Sequence, residues 1–344
     1  LTSRLPFYHG KLPPEVLSWA IYPYLGVKDP RLISGPSIGE DAAIIDLQDD
    51  RVLVVHSDPI TGALEDLGLL AVYVSTNDIA TRGVRPLWIS LVIFLAEGSS
   101  AEEARRVMVQ VDRAAKEVGV AVVGGHTEVT PGLKRTMVAC TAFGIARKGS
   151  FVTTGGAEAG DLIILTKGAA IEGTAILASD LADILTEKLD PSILESAKEF
   201  RREISIVKDA EVAMKIGGVT AMHDPTEGGL AGGLYEMAIA SNLGVEAYEE
   251  KIIVRPETSA ICRILGVDPI QTIGSGALLI AVRAERAEAI IKALKDEGIQ
   301  ASVIGKFLQD PTVRRILRSD GTVLDLSKPI QDHLWKVLRL YRKL

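Results

Sequence analysis

Apolar residues recur along this chain in runs of two lengths. Short runs at Ala42–Asp46, Val52–His56, Leu87–Leu95 and Thr136–Ile145 have the length and β-branched content of strands. Leu67–Val74 is apolar on every side, as a fully buried helix is, and Gly83 and Pro86 end it. Ser100-Ala101-Glu102-Glu103 is a capping box that opens a helix running to Gly119. Val120–Val123 predicts a strand that leads into a glycine turn at Gly124-Gly125. Polar and small residues take over across 147–160, and the boundary between two domains, 1–150 and 151–344, is placed there. Beyond it the pattern predicts strands at 162–165, 219–222, 251–254, 277–282, 301–307 and 313–318. Helices are predicted near 170–185, 191–214, 230–242, 257–264 and 284–297, and a further one from Pro13-Pro14-Glu15 through Leu25. Strands with interleaved helices, some joined by hairpin-length loops, indicate an α+β fold. Lys328–Leu344 is amphipathic and basic, and is expected to dock on the body.

One stretch breaks the pattern. The apolar helix ends in Ser75-Thr76-Asn77-Asp78, a polar pair where the fold would prefer none. Asn and Asp compete for backbone hydrogen bonds inside a helix, and a buried carboxylate is costly without a partner. Asp41 enters one strand and Asp58 ends another. Carboxylates at element ends, beside glycine loops, suit a hard divalent cation. Each of these two aspartates taken alone also reads as a turn residue. Glycine pairs at Gly124-Gly125 and Gly228-Gly229, and the triplet Gly274-Ser275-Gly276, would let backbone N–H groups approach phosphate, or else serve close packing. His126 and His223 lie in such loops and are candidates for ligand contact or acid–base work, whereas His56 reads as structural.

Composition narrows the classes. The 344 residues carry a net charge of −7, which gives no bulk reason to bind nucleic acid or a membrane surface. Two cysteines, Cys140 and Cys262, argue against a disulfide framework and fit a cytoplasmic location. No membrane-length apolar run occurs. There is no P-loop, no Gly-x-Gly-x-x-Gly and no Cys-x-x-Cys or His-Glu-x-x-His zinc pattern. Gly35-Pro36-Ser37-Ile38-Gly39 matches the nucleophile-elbow spacing, but a strand follows it where a helix is required, so a hydrolase is rejected. Magnesium–nucleotide binding is the reading that remains.

The ordered series Gly39-Glu40-Asp41-Ala42-Ala43, Ser57-Asp58, Asn77-Asp78-Ile79-Ala80 to Gly83-Val84-Arg85-Pro86, Gly124-Gly125-His126-Thr127 and Asp224-Pro225-Thr226-Glu227-Gly228-Gly229-Leu230 resembles the aminoimidazole ribonucleotide synthetase (PurM-like) superfamily. Its closest likeness is to the HypE branch, through Gly10-Lys11-Leu12 and the Asn-Asp and Asp-Pro-Thr motifs. The resemblance implies a two-domain α+β fold. The N-terminal sheet would pair with that of a second subunit in a barrel, and an α/β domain would lie beside it. It also implies ATP and Mg2+ in the cleft, with Asp41, Asp58 and Asp78 as metal acids. Gly39, Asn77, Gly124, Gly125, Thr127, Gly228 and Gly229 would surround the phosphates, and Asp78, His126 and Asp224 would act in catalysis. The implied assembly is a homodimer, working on a small-molecule acceptor or a maturation-complex partner protein. HypE works on a cysteine at its own C-terminus, and this sequence ends Leu340-Tyr341-Arg342-Lys343-Leu344. A separate acceptor is therefore expected. A non-catalytic nucleotide-binding scaffold and a thiamine monophosphate kinase-like activity are the alternatives.

Overall fold

The computed structural model describes residue 12, residues 14–61 and residues 66–342. Gly10 and Lys11, which contribute to the HypE likeness, lie outside the described residues.

Six strands form the first sheet: β1 (Leu32–Ser34), β2 (Ala43–Asp46), β3 (Arg51–Ile60), β4 (Pro86–Leu95), β5 (Ala121–Val129) and β6 (Met137–Arg147), in the order β1-β2-β3-β6-β4-β5. All its pairings are antiparallel except β4 with β5. Burial alternates along β6, so Val138, Cys140 and Ala142 face inward while their neighbours are partly open. Against that inner face lies the helix Leu67–Ala80, and every one of its residues is buried. It is apolar all round because it is enclosed. The sheet covers one side and the amphipathic helix Ala101–Val118 another, through Val107, Val111, Ala114, Ala115 and Val118. Gly68 marks the closest approach of the two helices: a Cβ there would sit 2.3 Å from the Val107 carbonyl oxygen.

The second sheet has seven strands: β7 (Leu162–Thr166), β8 (Val219–His223), β9 (Gly244–Tyr248), β10 (Leu279–Val282), β11 (Ala301–Leu308), β12 (Arg314–Leu317) and β13 (Val323–Asp325), in the order β13-β12-β9-β11-β7-β10-β8. The core under the first sheet continues into this domain through Ile164, Met222, Ile280 and the helix Val207–Ile216. A shared apolar core of this kind holds the two sheets as one packed body. The helix His333–Arg342 docks as its amphipathic pattern suggests, with Leu334, Val337 and Leu338 buried beside Leu177, Leu181 and Leu265. No helix among the described residues is long and apolar enough to cross a membrane.

Several elements depart from the sequence pattern. β5 does not stop at Val123 but runs through Gly124-Gly125-His126-Thr127-Glu128 to Val129. Its register against β4 shifts between Ile89 and Ser90. Gly125 (φ +151°) accommodates that shift, since a Cβ would lie 2.0 Å from the Leu91 carbonyl oxygen. The stretch 251–254 is not a strand. The strand is β9, seven residues earlier at its start, where Gly244 passes close to the Asp310 carbonyl. The predicted helix 191–214 breaks into Pro191–Lys198, a 3-10 turn at Glu199–Glu203 and Val207–Ile216. The first helix ends at Ala20, ahead of Pro23. The expected barrel is not closed within one chain: β1 and β5 are open edges of a single sheet.

Candidate metal and nucleotide site

β3 carries His56 and Asp58 two residues apart, hence on one face of the strand, and the helix Leu67–Ala80 delivers Asp78 to the same point. His56 Nε2 lies 3.1 Å from Asp58 Oδ1 and 3.4 Å from Asp78 Oδ2. One ligand atom from each of the three falls within 4.8 Å of the others. Two carboxylates that close repel unless a positive charge stands between them. Burial lowers the His56 pKa, but the hydrogen bond to Asp58 and the charges of Asp58, Asp41 and Asp224 outweigh it and raise the group above its usual value. These carboxylates thus favour the protonated form of the ring. The oxygen donors Asp58 and Asp78 also fit magnesium, a hard cation bound through one or two carboxylates plus phosphate and water.

A second cluster joins the domains. His223, at the end of β8, places Nδ1 2.7 Å from Asp41 Oδ1 and Nε2 2.8 Å from Glu236 Oε2. Burial alone would push its pKa down, yet Asp41 and Glu236 raise it to about 10. Arg82 is wholly buried, with Nη1 2.5 Å from Glu40, and with Nη2 2.7 Å from Asp41 Oδ2 and 2.6 Å from Thr154 Oγ1. Both Asp41 oxygens therefore face cations of the chain, one from each domain. A direct metal bond to Asp41 would require one of them to give way. Asp224, at 1% exposure, follows His223 and could join Asp41 and His223 around a cation.

Other expected site residues have different work in this conformation. Asn77 is fully buried; its Nδ2 donates to the Ile204 carbonyl (2.8 Å), and its Oδ1 accepts from the Ile206 N–H (2.9 Å). It clasps the backbone where the predicted 191–214 helix breaks. Gly39 (φ +82°) lies against the Glu236 carbonyl, a packing contact between domains. The Gly228 N–H donates to Asp332 Oδ2 (2.7 Å) and the Gly229 N–H to the Thr226 carbonyl (3.0 Å), so these two donors are committed within the chain. A carboxylate is a natural occupant of a helix N-terminus, and Asp332 takes that place for the helix Gly229–Ala240. Beside it, Trp335 donates Nε1–H to Glu227 Oε1 (2.9 Å), so the acidic Glu227 is one anchor of the C-terminal helix.

Gly124, Gly125, His126 and Thr127 are not brought to the acids within one chain. Asp58 pairs with Cys140, Cys140 with Leu91 and Leu91 with Gly125. Three strand spacings put Gly125 roughly 14 Å from Asp58 across the sheet. His126 is exposed and lies 3.1 Å from Glu128. Sequence reasoning missed Arg82, Glu40, Glu236, Thr154 and Asp332. Arg82 alone carried a signal, a cation closing an apolar helix. Both cysteines are buried, and burial pushes the Cys140 thiol up to about 11 and Cys262 to about 12, so neither is a nucleophile near neutrality.

Residues 39–146 match the N-terminal domain of AIR synthase related proteins, and residues 158–318 the C-terminal domain. A hydrogenase expression/formation protein of Methanocaldococcus jannaschii is 30% identical over 88% of this chain and 90% of its own length. A carbamoyl dehydratase HypE of Cupriavidus necator is 31% identical over 71% of this chain and 68% of its own. Among solved structures, HypE of Escherichia coli superposes with a TM-score of 0.70 at 25% identity, covering 88% of this chain and 94% of that one. HypE in complex with ATP gives 0.70 at 23%, covering 93% and 96%, a likeness of fold. The two sheets, the ordered acidic motifs and these matches agree, and the chain belongs to the AIR synthase related (PurM-like) family, alongside the HypE proteins.

Proposed function

We propose that this protein is a magnesium- and ATP-dependent enzyme, related to HypE, that phosphorylates and so activates an acceptor on a separate small molecule or protein. The observation that carries this reading is the convergence of Asp58 and Asp78 on His56, at a point where Asp41 and Asp224 also act on the imidazole. So many acids in one place favour a divalent cation. Magnesium, when bound, would neutralise charge on the phosphate oxygens. Asp58 and Asp78 would hold it. His56 would turn from counter-charge to neighbour. Asp41, clamped by Arg82 and His223, would lend its charge, with Asp224 beside it. The relatives support a dehydrating use of such activation, since several bear the name carbamoyl dehydratase.

The reading extends to a homodimer. All nine residues of β5 are exposed, including Val122, Val123 and Val129, so neither face of that edge strand is covered in the single chain. Long exposed apolar edges invite pairing. We place Gly124, Gly125, His126 and Thr127 at the seam with a second copy, where a barrel would form and bring them towards the partner's nucleotide. A HypE–HypF complex is known among the structural neighbours, which supports a partner protein of the maturation type. The second reading is a nucleotide-binding scaffold without turnover. The commitment of Asn77, Gly228 and Gly229 to the chain's own groups favours it. A thiamine monophosphate kinase-like activity rests on fold likeness alone, at 20% identity and a TM-score of 0.66. ADP release from magnesium–ATP separates the first two readings: turnover that vanishes in Asp78→Asn supports the enzyme, and none in the wild type supports the scaffold.

A further inference from the structure

Among the described residues, Glu172 is a buried acid with no part in the proposed metal site, and unlike Asp161 and Asp209 it keeps a buried carboxylate oxygen without a donor. It stands in the first turn of the helix Ile171–Asp180, at 7% exposure. A carboxylate there usually serves to cap backbone donors, but those donors are already used. The Glu172 N–H donates to the Ser275 carbonyl, that of Gly173 to the Ile273 carbonyl and that of Thr174 to the Ala170 carbonyl. The Oε2 atom of Glu172 is buried and meets no donor. An unpaired buried oxygen costs about 1–3 kcal/mol, so a structure that keeps one gains by it elsewhere.

The approach to Glu172 is itself strained. Of the five non-glycine residues with positive φ among the described residues, two are Lys167 and Ala170, both at +57°, with Gly168 at +133° between them. Such backbone is held where function demands a set geometry. Burial pushes the Glu172 carboxyl up to about 7, a hydrogen bond with Ser275 pulls it down, and the charges of Asp332, Asp224 and Asp58 add to the rise. The backbone ties Glu172 to the loop that carries Asp224: the Glu172 N–H donates to the Ser275 carbonyl, and the neighbouring Gly274 N–H donates to the Thr226 carbonyl, two residues from Asp224. Cations of the flanking elements are engaged elsewhere. Lys167 is tied to Asp209 and to the Glu203 and Ser205 carbonyls, and Arg255 to Glu203.

We infer that Glu172 binds the acceptor through an O–H group at Oε2 and receives its proton as the phosphoryl group arrives. This rests on the phosphoryl-transfer reading and deepens it. In the step, the bond between the γ-phosphorus and the ADP oxygen breaks, and a bond forms from that phosphorus to the acceptor oxygen. The proton of that oxygen passes to Oε2 and then to water. Where no acceptor is present, water takes its place and the step is ATP hydrolysis.

The test follows ADP release from magnesium–ATP between pH 5 and 9, in the wild type, Glu172→Gln and Glu172→Asp. A calorimetric titration with magnesium and a non-hydrolysable ATP analogue accompanies each variant. The expected result is a wild-type rate that rises with pH through a limb near 7. Glu172→Gln should lose that limb and about 100-fold or more in rate, within the usual range for a general base, while binding the analogue within about twofold of wild type. Glu172→Asp should retain a weakened limb. An unchanged rate and limb in Glu172→Gln would overturn the assignment, as would loss of analogue binding, which would make the residue part of the nucleotide site or the fold. A wild type that binds no analogue would instead bring down the nucleotide reading, and this inference with it.

Discussion

Replacing Arg82 with methionine should destabilise the protein by about 3 kcal/mol. The guanidinium is wholly buried and spans Glu40, Asp41 and Thr154 at 2.5–2.7 Å. Removing one partner of a buried ion pair costs about 3–5 kcal/mol, because a charge is left without compensation. Two features set the value at the low end. Asp41 keeps His223 as a counter-charge, and the Glu40 side chain, 12% exposed, can draw in water. Arg82→Lys keeps the charge but not the fork that reaches both carboxylates, and should cost about half as much. Arg82→Met combined with Glu40→Gln should recover about 1 kcal/mol over the single variant, since one stranded charge is gone. Urea unfolding at pH 7, read by tryptophan fluorescence, measures each difference at fixed m-value. A loss below about 1 kcal/mol in Arg82→Met, with no recovery in the double variant, would refute the view that Arg82 ties the two domains together.

Other expectations follow from the same geometry. Asn77→Leu removes both hydrogen bonds to the 204–206 backbone and strands a buried N–H and C=O, so it should cost about 2–4 kcal/mol by denaturant unfolding. Val123→Lys on the open β5 edge should yield a folded monomer by light scattering, and the wild type a dimer. Glu172 has a folded pKa raised from 4.5 to about 7, so the folded state holds that proton more tightly than the unfolded chain. Its stability contribution falls as pH rises from about 4.5 to about 7 and is flat above, a total of about 3 kcal/mol. Glu172→Gln lacks this slope, and its stability relative to wild type should climb across that window. Parallel pH profiles of the two proteins would contradict it.

Much of the architecture was legible because local pattern and tertiary demand agree. Leu67–Val74 reads as a buried helix and is one, since apolar residues on all sides have no other use. The Ser100 capping box and Gly119 mark their helix ends, and the structure shows both caps. Asn77 was legible as an anomaly but not in its role, because its partners lie 127 and 129 residues along the chain. Gly124-Gly125 looked like a turn, since a glycine pair signals one locally; the bulge that needs Gly125 is set by β4, a different segment. For the Gly228-Gly229 turn, local sequence suggested a phosphate. The tail supplies Asp332 in its stead, from 104 positions away. Charge partners such as Arg82 with Glu40, or His223 with Glu236, are products of topology that no single stretch encodes.

The central claim is that the cleft acids make a magnesium–nucleotide site. Calorimetric titration with a non-hydrolysable ATP analogue tests it most directly, with and without magnesium, on the wild type, Asp58→Asn and Asp78→Asn. Binding should require magnesium and be lost in both variants while their unfolding transitions stay cooperative. Binding that is indifferent to magnesium, or that survives in Asp78→Asn at wild-type affinity, would contradict it.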